Sequence, residues 1–472
     1  MTENSGLNIR RKGGDDVRGF VVRKFLDEIR DLGGREILED GGTGMLFDFG
    51  EDRGALRGWQ VAQFLLRLLD RQPLQLIGEI GWMFFALILV HNFWRDFELS
   101  WGCGAMSKDV RWKKTSRTEA GFIGLRETGR IEMKKYRVGV IGYGWVAGAH
   151  IGAINATQQA EVTAVYSSRK LEDGEVSARH GSEIRCYTSL EDMLKSDIDA
   201  VSICSYPYEH AQQAIAAAKA GKHLIIEKPL ALNARDLKRM VEAVEDAGVK
   251  TCVCFECRYS SQFLATKAVI DRGLLGQIHY GEIDYYHGIG PWYGQFRWNT
   301  RKDAGGSSLL SAGCHALDAL LLCMGSEVES VSSSATRSKN KDFAKYEYPT
   351  SSVTIIRFKD GRVGKTASVI DCLQPYYFHV HLVGSEGSLL DNKFFSTQLG
   401  GLNKAKWSEL SMKLLDSGDV SDHPYQTQFQ AFFDALDKGK DMPLTSLREA
   451  ARTHEVIFAA DRSAETGKTI QL

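Results

Sequence analysis

A lysine between an acid and a proline stands at a position suited to catalysis. Lys228 lies between Glu227 and Pro229, directly after the apolar run Leu224–Ile226. Open α/β sheets bind their ligands at the carboxyl ends of buried strands, so Lys228 is expected to face a reacting group. A lysine that is partly desolvated near other cations has a lowered pKa and exchanges protons near neutrality. Lys228 is therefore a candidate acid–base group, and a solvated surface lysine is the alternative.

A second cluster has the spacing of one helix face. Ser311, His315 and Asp318 follow one another at intervals of four and three residues, whereas Leu310 and Leu317 fall on an adjacent apolar face. The imidazole of His315 can bind a hydroxyl group or pass on its proton. The alternative is a core histidine that bonds a backbone carbonyl.

A glycine motif follows the first strongly apolar, β-branched run. The sequence from Gly142 to Ala147 fits G-x-G-x-x-A. Gly142 permits a tight turn, Gly144 allows a pyrophosphate to approach, and Ala147 lets a helix pack on the strand. Trp145 and Val146 lie inside the motif and are expected to contact the dinucleotide. The strand–turn–helix context favours a dinucleotide site over an ordinary glycine turn.

The end of the next predicted strand, Val162–Tyr166, bears on the type of dinucleotide. Ser167, Ser168 and Arg169 follow it directly, where an NAD site normally has Asp or Glu for the ribose diol. Hydroxyl groups and a guanidinium suit a 2′-phosphate instead. The sequence therefore favours NADP(H), and NAD(H) bound with the help of Glu172 is the alternative.

The elements that carry these residues fall into two regions. From Tyr136 to Phe255 predicted strands alternate with helices, which indicates βαβ units in a doubly wound parallel sheet. From 256 to 472 the pattern changes to an α+β region with a largely antiparallel open sheet, including a hairpin turn at Asp360–Gly361. We expect a Rossmann domain over 133–255 and a second domain over 256–472.

Residues 1–132 show no sustained strand–helix rhythm. Their apolar run Gly81–Val90 has ten residues, whereas a bilayer needs about 20, so we expect no membrane span. The residue pattern changes at Met133, where we expect the native protein to start. Residues 1–132 are then a mis-assigned or poorly ordered extension, and an N-terminal membrane tether is the alternative.

Composition excludes several classes of function. The chain has 59 Lys+Arg and 60 Asp+Glu, so no global field attracts nucleic acid or an anionic membrane. Nine cysteines without regular spacing indicate reduced thiols and a cytoplasmic protein. Cys252, Cys254 and Cys257 form C-x-C-x-x-C, but no second pair accompanies them, and we expect no metal site.

Three motifs in order resemble one enzyme family, which comprises glucose–fructose oxidoreductase, inositol dehydrogenase and rhizopine-catabolism proteins (Gfo/Idh/MocA). The motifs are SYPYEH at 205–210, AGKHLIIEKP at 220–229 and AGGSSLLSAGCHALD at 304–318. The resemblance covers about residues 134–472. It implies an NAD(P)-dependent oxidoreductase that acts on a sugar, cyclitol, polyol or ketone and forms a homodimer or homotetramer. The second domain would bind substrate and make the oligomer contacts.

The resemblance also implies roles for single residues. Lys228 and His315 would be the catalytic pair, with Lys228 beside the cofactor. Glu227 would contact the nicotinamide side of the cofactor. Tyr206 and His210, in the loop after the fourth strand, would lie near the nicotinamide as well.

One residue departs from the family pattern. Ser311 stands one turn before the catalytic histidine, where the family usually has Asp, so the carboxylate that tunes the pair is missing. This departure motivates an alternative, a non-catalytic dinucleotide-binding sensor or partner subunit of the same fold.

The expected substrate pocket is lined by these side chains: Arg258, Tyr286, Trp298, Ser311 and His315.

Overall fold

The computed structural model describes residues 135–472 apart from Ser326 and Ser417. The expectations about residues 1–132 and a start at Met133 lie outside the described residues. The described chain forms two β-sheets with helices packed against them.

The first sheet has six parallel strands in the order β3-β2-β1-β4-β5-β6. Its strands are β1 (Tyr136–Ile141), β2 (Ala160–Tyr166), β3 (Arg185–Tyr187), β4 (Ala200–Ile203), β5 (His223–Ile226) and β6 (Thr251–Val253). The connecting helices are α1 (Ala147–Ala156), α2 (Asp173–His180), α3 (Leu190–Lys195), α4 (Pro207–Lys219) and α5 (Ala234–Ala247). The β-branched run that forms β1 is covered on both faces, as a central parallel strand requires. This confirms the doubly wound parallel sheet.

The second sheet has nine strands in the order β14-β13-β12-β11-β7-β10-β9-β8-β15. They are β7 (Ile278–Tyr286), β8 (Val328–Thr336), β9 (Ser351–Phe358), β10 (Val363–Val369), β11 (Tyr377–Gly384), β12 (Gly387–Leu390), β13 (Lys393–Ser396), β14 (Ser408–Glu409) and β15 (Ile470–Gln471). The β7–β10 pair is parallel, and the other pairs are antiparallel. Gly361, with φ of 88°, turns the β9–β10 hairpin as the sequence indicated. The largely antiparallel sheet is confirmed.

Helices cover one face of this sheet and reach back to the first one. They are α6 (Ser261–Asp271), α7 (Phe296–Asn299), α8 (Lys302–Gly305), α9 (Cys314–Met324), α10 (Tyr425–Asp437) and α11 (Leu447–Thr466). Phe429 and Phe433 of α10 belong to the core of the first sheet, and Phe429 contacts His150 of α1. The start of α10 is thereby held close to the carboxyl end of β5.

The predicted apolar helix 309–323 is interrupted in the structure. A π-helical turn, Leu309–Gly313, precedes the α-helix. A Cβ on Gly313 would lie 2.3 Å from the Cβ of Ser368, so glycine allows the helix to approach β10. Among the described residues, the segment Lys302–Met324 is long and apolar enough to cross a membrane, but 89% of its most apolar window is buried inside the protein. We therefore interpret it as a core helix.

Candidate active site

The glycine motif forms an open backbone surface at the start of α1. Gly142 has φ of 91°, and a Cβ there would lie 2.9 Å from the Cα of Ser205. A Cβ on Gly144 would meet no atom within 4 Å. Val146 is the N-cap of α1, and no side chain caps the first amides of the helix. Open space before free amides fits the pyrophosphate of a dinucleotide.

The residues after β2 carry no carboxylate at the position expected for an NAD site. Ser167 is buried, and its Oγ accepts a hydrogen bond of 3.2 Å from the backbone N–H of Arg169. Ser168 and Arg169 are exposed. Glu172 lies farther along and pairs with Lys170 at 3.0 Å. The preference for NADP(H) stays a prediction.

The carboxylate of Glu227 is enclosed by protein partners. Its Oε1 lies 2.9 Å from Nε2 of His150 and accepts a hydrogen bond of 2.8 Å from the hydroxyl of Tyr425. Its Oε2 accepts a bond of 3.1 Å from the backbone N–H of Lys228. The other nitrogen of His150 lies 2.8 Å from the hydroxyl of Ser202. A contact between Glu227 and the nicotinamide stays a prediction.

Charge explains how this enclosed pair is held. Burial alone would raise the pKa of Glu227, but the hydrogen bond and charge of His150 lower it to about 2. Burial alone would lower the pKa of His150, but Cys204 and Glu227 raise it to about 10. A charged pair with satisfied hydrogen bonds therefore supports the loop that carries Lys228.

Lys228 and the turn before His315 meet directly. The Nζ of Lys228 donates a hydrogen bond of 3.1 Å to the backbone oxygen of Ser311. Its pKa was expected to be lowered, but it is raised. Burial lowers it, and the nearby Cys314, Glu227 and Glu256 raise it by more. Lys228 is therefore a cation at neutral pH, because acidic groups surround it where cations were expected.

His315 is fully enclosed and neutral. Burial, the charge of Lys228 and His423 lower the pKa of His315 well below its usual value. Its ring stacks on Tyr285, with centroids 6.3 Å apart. Its Nδ1 has no hydrogen-bond partner among the described residues. A neutral imidazole with a free nitrogen can accept a proton.

Glu256 is a residue of this site that our sequence reasoning missed. It follows β6, is 1% exposed, and places Oε1 3.7 Å from Nε2 of both His315 and His423. Its position after a buried parallel strand was a usable signal, because ligands bind at that edge. His423 and Tyr425 offered no such signal, since they lie far along the chain before α10.

The structure corrects the role expected for Arg258. Its Nε and one terminal nitrogen donate hydrogen bonds of 2.6 and 2.7 Å to the two carboxylate oxygens of Asp318. The hydroxyl of Thr453 donates to the same carboxylate at 2.9 Å. Arg258 is thus a buried ion-pair residue that ties the turn after β6 to α9 and α11, and it does not line the pocket.

Tyr286 is corrected as well. It stacks on Tyr377, and its hydroxyl donates a bond of 3.3 Å to Asp284 on the outer face of the sheet. Alternation along β7 directs Tyr285 to the inner face, where it stacks on His315. The hydroxyl of Tyr285 lies 3.0 Å from Nδ1 of His287. Tyr285 is therefore the residue of this pair that contacts His315.

Aromatic side chains contact one another near the glycine motif and near the loop after β4. Tyr206 contacts both Tyr208 and Trp298, at centroid distances of 5.5 and 5.7 Å. Trp145 of the glycine motif contacts Tyr293 edge-on at 5.5 Å. Trp145 and Tyr206 are each 44% exposed. Trp145 and Tyr206 thus both contact aromatic rings of the segment 293–298.

His210 has a structural role that differs from the expected cofactor contact. Its Nδ1 lies 2.7 Å from the carbonyl oxygen of Pro229, and its Nε2 lies 3.1 Å from that of Ser205. Both ring nitrogens are therefore used to connect two loops at the edge of the sheet. His210 positions these loops and does not point toward a cofactor.

The cysteines near β6 are protonated thiols. Burial raises the pKa of Cys252, Cys254 and Cys257. Metal ligation by cysteine requires the thiolate. The absence of a metal site stays a prediction, and this chemistry supports it.

Two family models match the described chain in sequence order. The model described as the oxidoreductase family with a NAD-binding Rossmann fold matches residues 136–255, and the GFO/IDH/MocA C-terminal domain matches residues 263–390. The chain belongs to the Gfo/Idh/MocA oxidoreductase family. The resemblance seen in the sequence is thereby confirmed, together with the fold and the enzyme class.

Relatives with known names are dehydrogenases and reductases. Myo-inositol 2-dehydrogenase of Thermotoga maritima is 28% identical over 254 residues, which are 54% of this chain and 74% of the relative. The 1,5-anhydro-D-fructose reductase of Ensifer adhaerens is 28% identical over 344 residues, with coverages of 71% and 98%. The WlbA dehydrogenase of Bordetella pertussis, solved with NADH and UDP-GlcNAcA, has a TM-score of 0.60 and 24% identity, with coverages of 72% and 99%. This last likeness concerns the fold.

Proposed function

We propose that this oxidoreductase transfers a hydride between a nicotinamide cofactor and a carbon that bears a hydroxyl or carbonyl group in a sugar, cyclitol or related polyol. The single observation that carries the proposal is the contact of Lys228 with Ser311, one turn before His315. This contact places the cation of Lys228 near the helix that carries the neutral imidazole of His315. Both lie at the edge where parallel sheets bind ligands.

The two side chains suit complementary tasks. When bound, the nicotinamide supplies or accepts the hydride. Lys228, a cation, donates a hydrogen bond to the substrate oxygen and stabilises negative charge that develops there. His315, a neutral base, takes the proton of the hydroxyl group. The raised pKa of Lys228 thus shifts the proton-accepting task to His315.

The aromatic side chains near the glycine motif and after β4 support a sugar-like substrate. Trp145 and Tyr206 are each 44% exposed and contact Tyr293 and Trp298 edge-on. Sugar C–H faces stack on such rings, and their hydroxyl groups bond polar atoms deeper in a pocket. Nδ1 of His315, which has no partner within the described chain, offers one such atom.

A substrate screen tests the function. Sugars, cyclitols and their ketones are assayed by the absorbance of reduced nicotinamide, and cofactor binding is measured separately by fluorescence. Turnover of at least one polyol or ketone is expected. Cofactor binding without turnover across the whole panel would instead favour the sensor or partner subunit, which the missing acid at Ser311 motivates.

We further propose that the cofactor is NADP(H), because no carboxylate directly follows β2 and the side chain of Arg169 is exposed there. Arg169→Ala should raise KM for NADP(H) by about tenfold and leave KM for NAD(H) unchanged. Arg179→Ala, on the exposed side of α2, is the matched control. Equal effects on both cofactors would refute the preference.

We also propose a homodimer or homotetramer that forms through the open face of the nine-stranded sheet. Val353 and Ile355 of β9 project from that face and are 44% and 46% exposed. Their burial between subunits would be favourable. Light scattering during gel filtration measures the mass, and replacement of both residues by Lys should yield a monomer.

A further inference from the structure

Three buried polar atoms close to Lys228 lack a hydrogen-bond partner among the residues that the structure describes. They are Oε2 of Glu256, Nδ1 of His315 and Nδ1 of His423. The three side chains meet at Oε1 of Glu256, which lies 3.7 Å from Nε2 of each histidine. Unpaired buried polar groups are costly, so a cluster of them indicates a functional role.

The missing acid of the family pattern bears on this cluster. Ser311 has a hydroxyl group that cannot carry negative charge, and its Oγ donates a local bond of 3.5 Å to the backbone oxygen of Ser308. Glu256 brings a carboxyl group to the same imidazole from another element, the end of β6. A carboxylate on one nitrogen of an imidazole fixes the tautomer and leaves the other nitrogen free to act as a base.

We propose that Glu256 is the carboxylate partner of His315 and positions its imidazole, in place of the acid that Ser311 cannot supply. This inference rests on the proposed function. Oε1 of Glu256 lies 3.7 Å from Nε2 of His315, so its negative charge favours the tautomer with the hydrogen on Nε2 and leaves the lone pair of Nδ1 for the substrate hydroxyl. Glu256 acts through His315 and is therefore a positioning residue.

The proton and electron balance is simple in the oxidative direction. The C–H bond breaks, and its electron pair leaves as hydride to the oxidised nicotinamide. The O–H bond breaks, its proton goes to Nδ1 of His315, and its electron pair completes the C=O bond. The imidazolium that results is stabilised by the carboxylate of Glu256 and returns its proton to water.

Titratable groups face Glu256 from every element packed against it. They are Glu227 and Lys228 after β5, Cys254 and Cys257 after β6, His150 of α1, Cys314 and His315 of α9, Tyr293 and Tyr376 from two loops, and His423 and Tyr425 at the start of α10.

The net effect of this environment favours the protonated acid. Burial and the negative charge of Glu227 raise the pKa of Glu256 to about 8, against the charges of Lys228 and His150. Glu256 therefore becomes a carboxylate as the pH rises through about 8. The Nε2–H tautomer of His315 is favoured above that pH, because the carboxylate of Glu256 then lies 3.7 Å from Nε2.

The first experiment measures the tautomer directly and needs no substrate or turnover. NMR spectra of the isotope-labelled histidines are recorded from about pH 6 to about pH 9, around the pKa of Glu256, and His315 is identified by its absence in His315→Gln. The wild type should change toward the Nε2–H tautomer, and Glu256→Gln should abolish this change. The same pH dependence in Glu256→Gln would overturn the proposal.

The second experiment measures kinetics. Glu256→Gln should lower kcat for alcohol oxidation by about 10²-fold, leave KM for the cofactor unchanged and remove the alkaline rise of kcat with pH. Glu256→Asp should recover part of the loss. The double variant E256Q/S311D, which returns an acid to the usual family position, should also recover part of it. Wild-type kcat and pH profile in E256Q would overturn the proposal.

Two controls test the specificity of these effects. Glu242→Gln removes a carboxylate on the exposed side of α5, where Glu242 pairs with Lys238 at 3.8 Å, and should change neither readout. Donor atoms of Glu256, Cys257 and His315 lie within 4.8 Å of one another. Loss of turnover or of the tautomer change after treatment with a chelator would show a bound cation there and would overturn the proposal.

The outcomes also distinguish this inference from the proposed function. If the wild type binds the cofactor but turns over no substrate in the panel, the proposed function fails. The tautomer measurement still decides the role of Glu256, because it is made without substrate.

Discussion

Two buried glutamates at neighbouring strand ends have opposite environments. Glu227, after β5, is ionised and accepts hydrogen bonds from partners on α1, α10 and its own loop. Glu256, after β6, has its pKa raised by burial and by Glu227, and its Oε2 has no partner among the described residues. The negative charge of Glu227 disfavours ionisation of Glu256, and the carboxylate with more hydrogen bonds is the one that is ionised.

The difference indicates that Glu227 has a structural role, whereas Glu256 belongs to the reactive part of the site. The ion pair of Glu227 with His150 is complete within the protein, so it fixes the loop that carries Lys228 before any ligand binds. The cluster around Glu256, His315 and His423 is incomplete, so its energy falls when a substrate hydroxyl or a proton arrives. Lys228 lies between the two, with its backbone N–H on Glu227 and its amine on Ser311.

The largest effect on activity is expected for substitution of Lys228. Lys228→Met retains the length of the side chain but removes its charge, so the developing negative charge on the substrate oxygen loses its partner. We expect kcat to fall by about 10²–10⁴-fold while cofactor affinity changes little. Stopped-flow turnover and fluorescence titration of the cofactor measure the two quantities. Unchanged turnover would remove Lys228 from the reaction.

Breaking the complete pair should destabilise the fold. Glu227→Gln leaves the protonated His150 buried without its counter-charge, and removal of one partner of a buried ion pair costs about 3–5 kcal/mol. The free energy of unfolding is measured with denaturant at pH 7. Glu242→Gln, which breaks the exposed pair with Lys238, should cost about 0–1 kcal/mol. A similar loss in both variants would contradict the special role of the enclosed pair.

Much of the fold was accessible from the sequence because it depends on local patterns. The β-branched run and the glycine motif that begins at Gly142 predicted the first strand–turn–helix unit. Gly142 has the positive φ that such a turn requires. The Asp360–Gly361 hairpin depends on residue types at two positions. By contrast, Gly313 at the end of the π-helical turn packs against Ser368 on a distant strand, and periodicity alone does not reveal this contact.

The positions of Glu227 and Lys228 after β5 and of His315 on α9 were predictable because the chain itself specifies them, and their roles stay predictions. The pKa of Lys228 could not be predicted, since it depends on Glu256 and other groups that approach through space. Tyr285 could have been chosen over Tyr286, because it shares its face with the buried Ile283, two residues earlier. Arg258 was misread because its partner, Asp318, belongs to another helix.

The incomplete cluster should leave a signature in stability as a function of pH. The native state keeps the proton of Glu256 up to about pH 8, whereas the unfolded chain releases it near pH 4.5, the ordinary value. The native state therefore binds more protons in this interval, and stability falls as pH rises. Glu256→Gln, which is permanently neutral, should lack this fall, so the variant gains more than about 1 kcal/mol over the wild type by pH 8.

Thermal unfolding of both proteins at several pH values between 4.5 and about 8 tests this sign. A constant difference in stability across the interval would mean that Glu256 is already ionised in the native protein. The negative charge of Glu227 would then not disfavour ionisation of Glu256, and the contrast between the two glutamates would be lost.

The smallest expected effect tests which face of β7 belongs to the site. Tyr285→Phe removes a hydroxyl group that lies 3.0 Å from Nδ1 of His287, next to the ring of His315. Loss of one neutral hydrogen bond of this kind corresponds to about 0.5–1.5 kcal/mol, so KM for the substrate should rise by up to about tenfold. Tyr286→Phe removes a hydroxyl on the opposite face and should leave KM unchanged. Because the two substitutions are identical in chemistry and adjacent in sequence, a larger change of KM for Tyr286→Phe would place the substrate on the outer face and away from both glutamates.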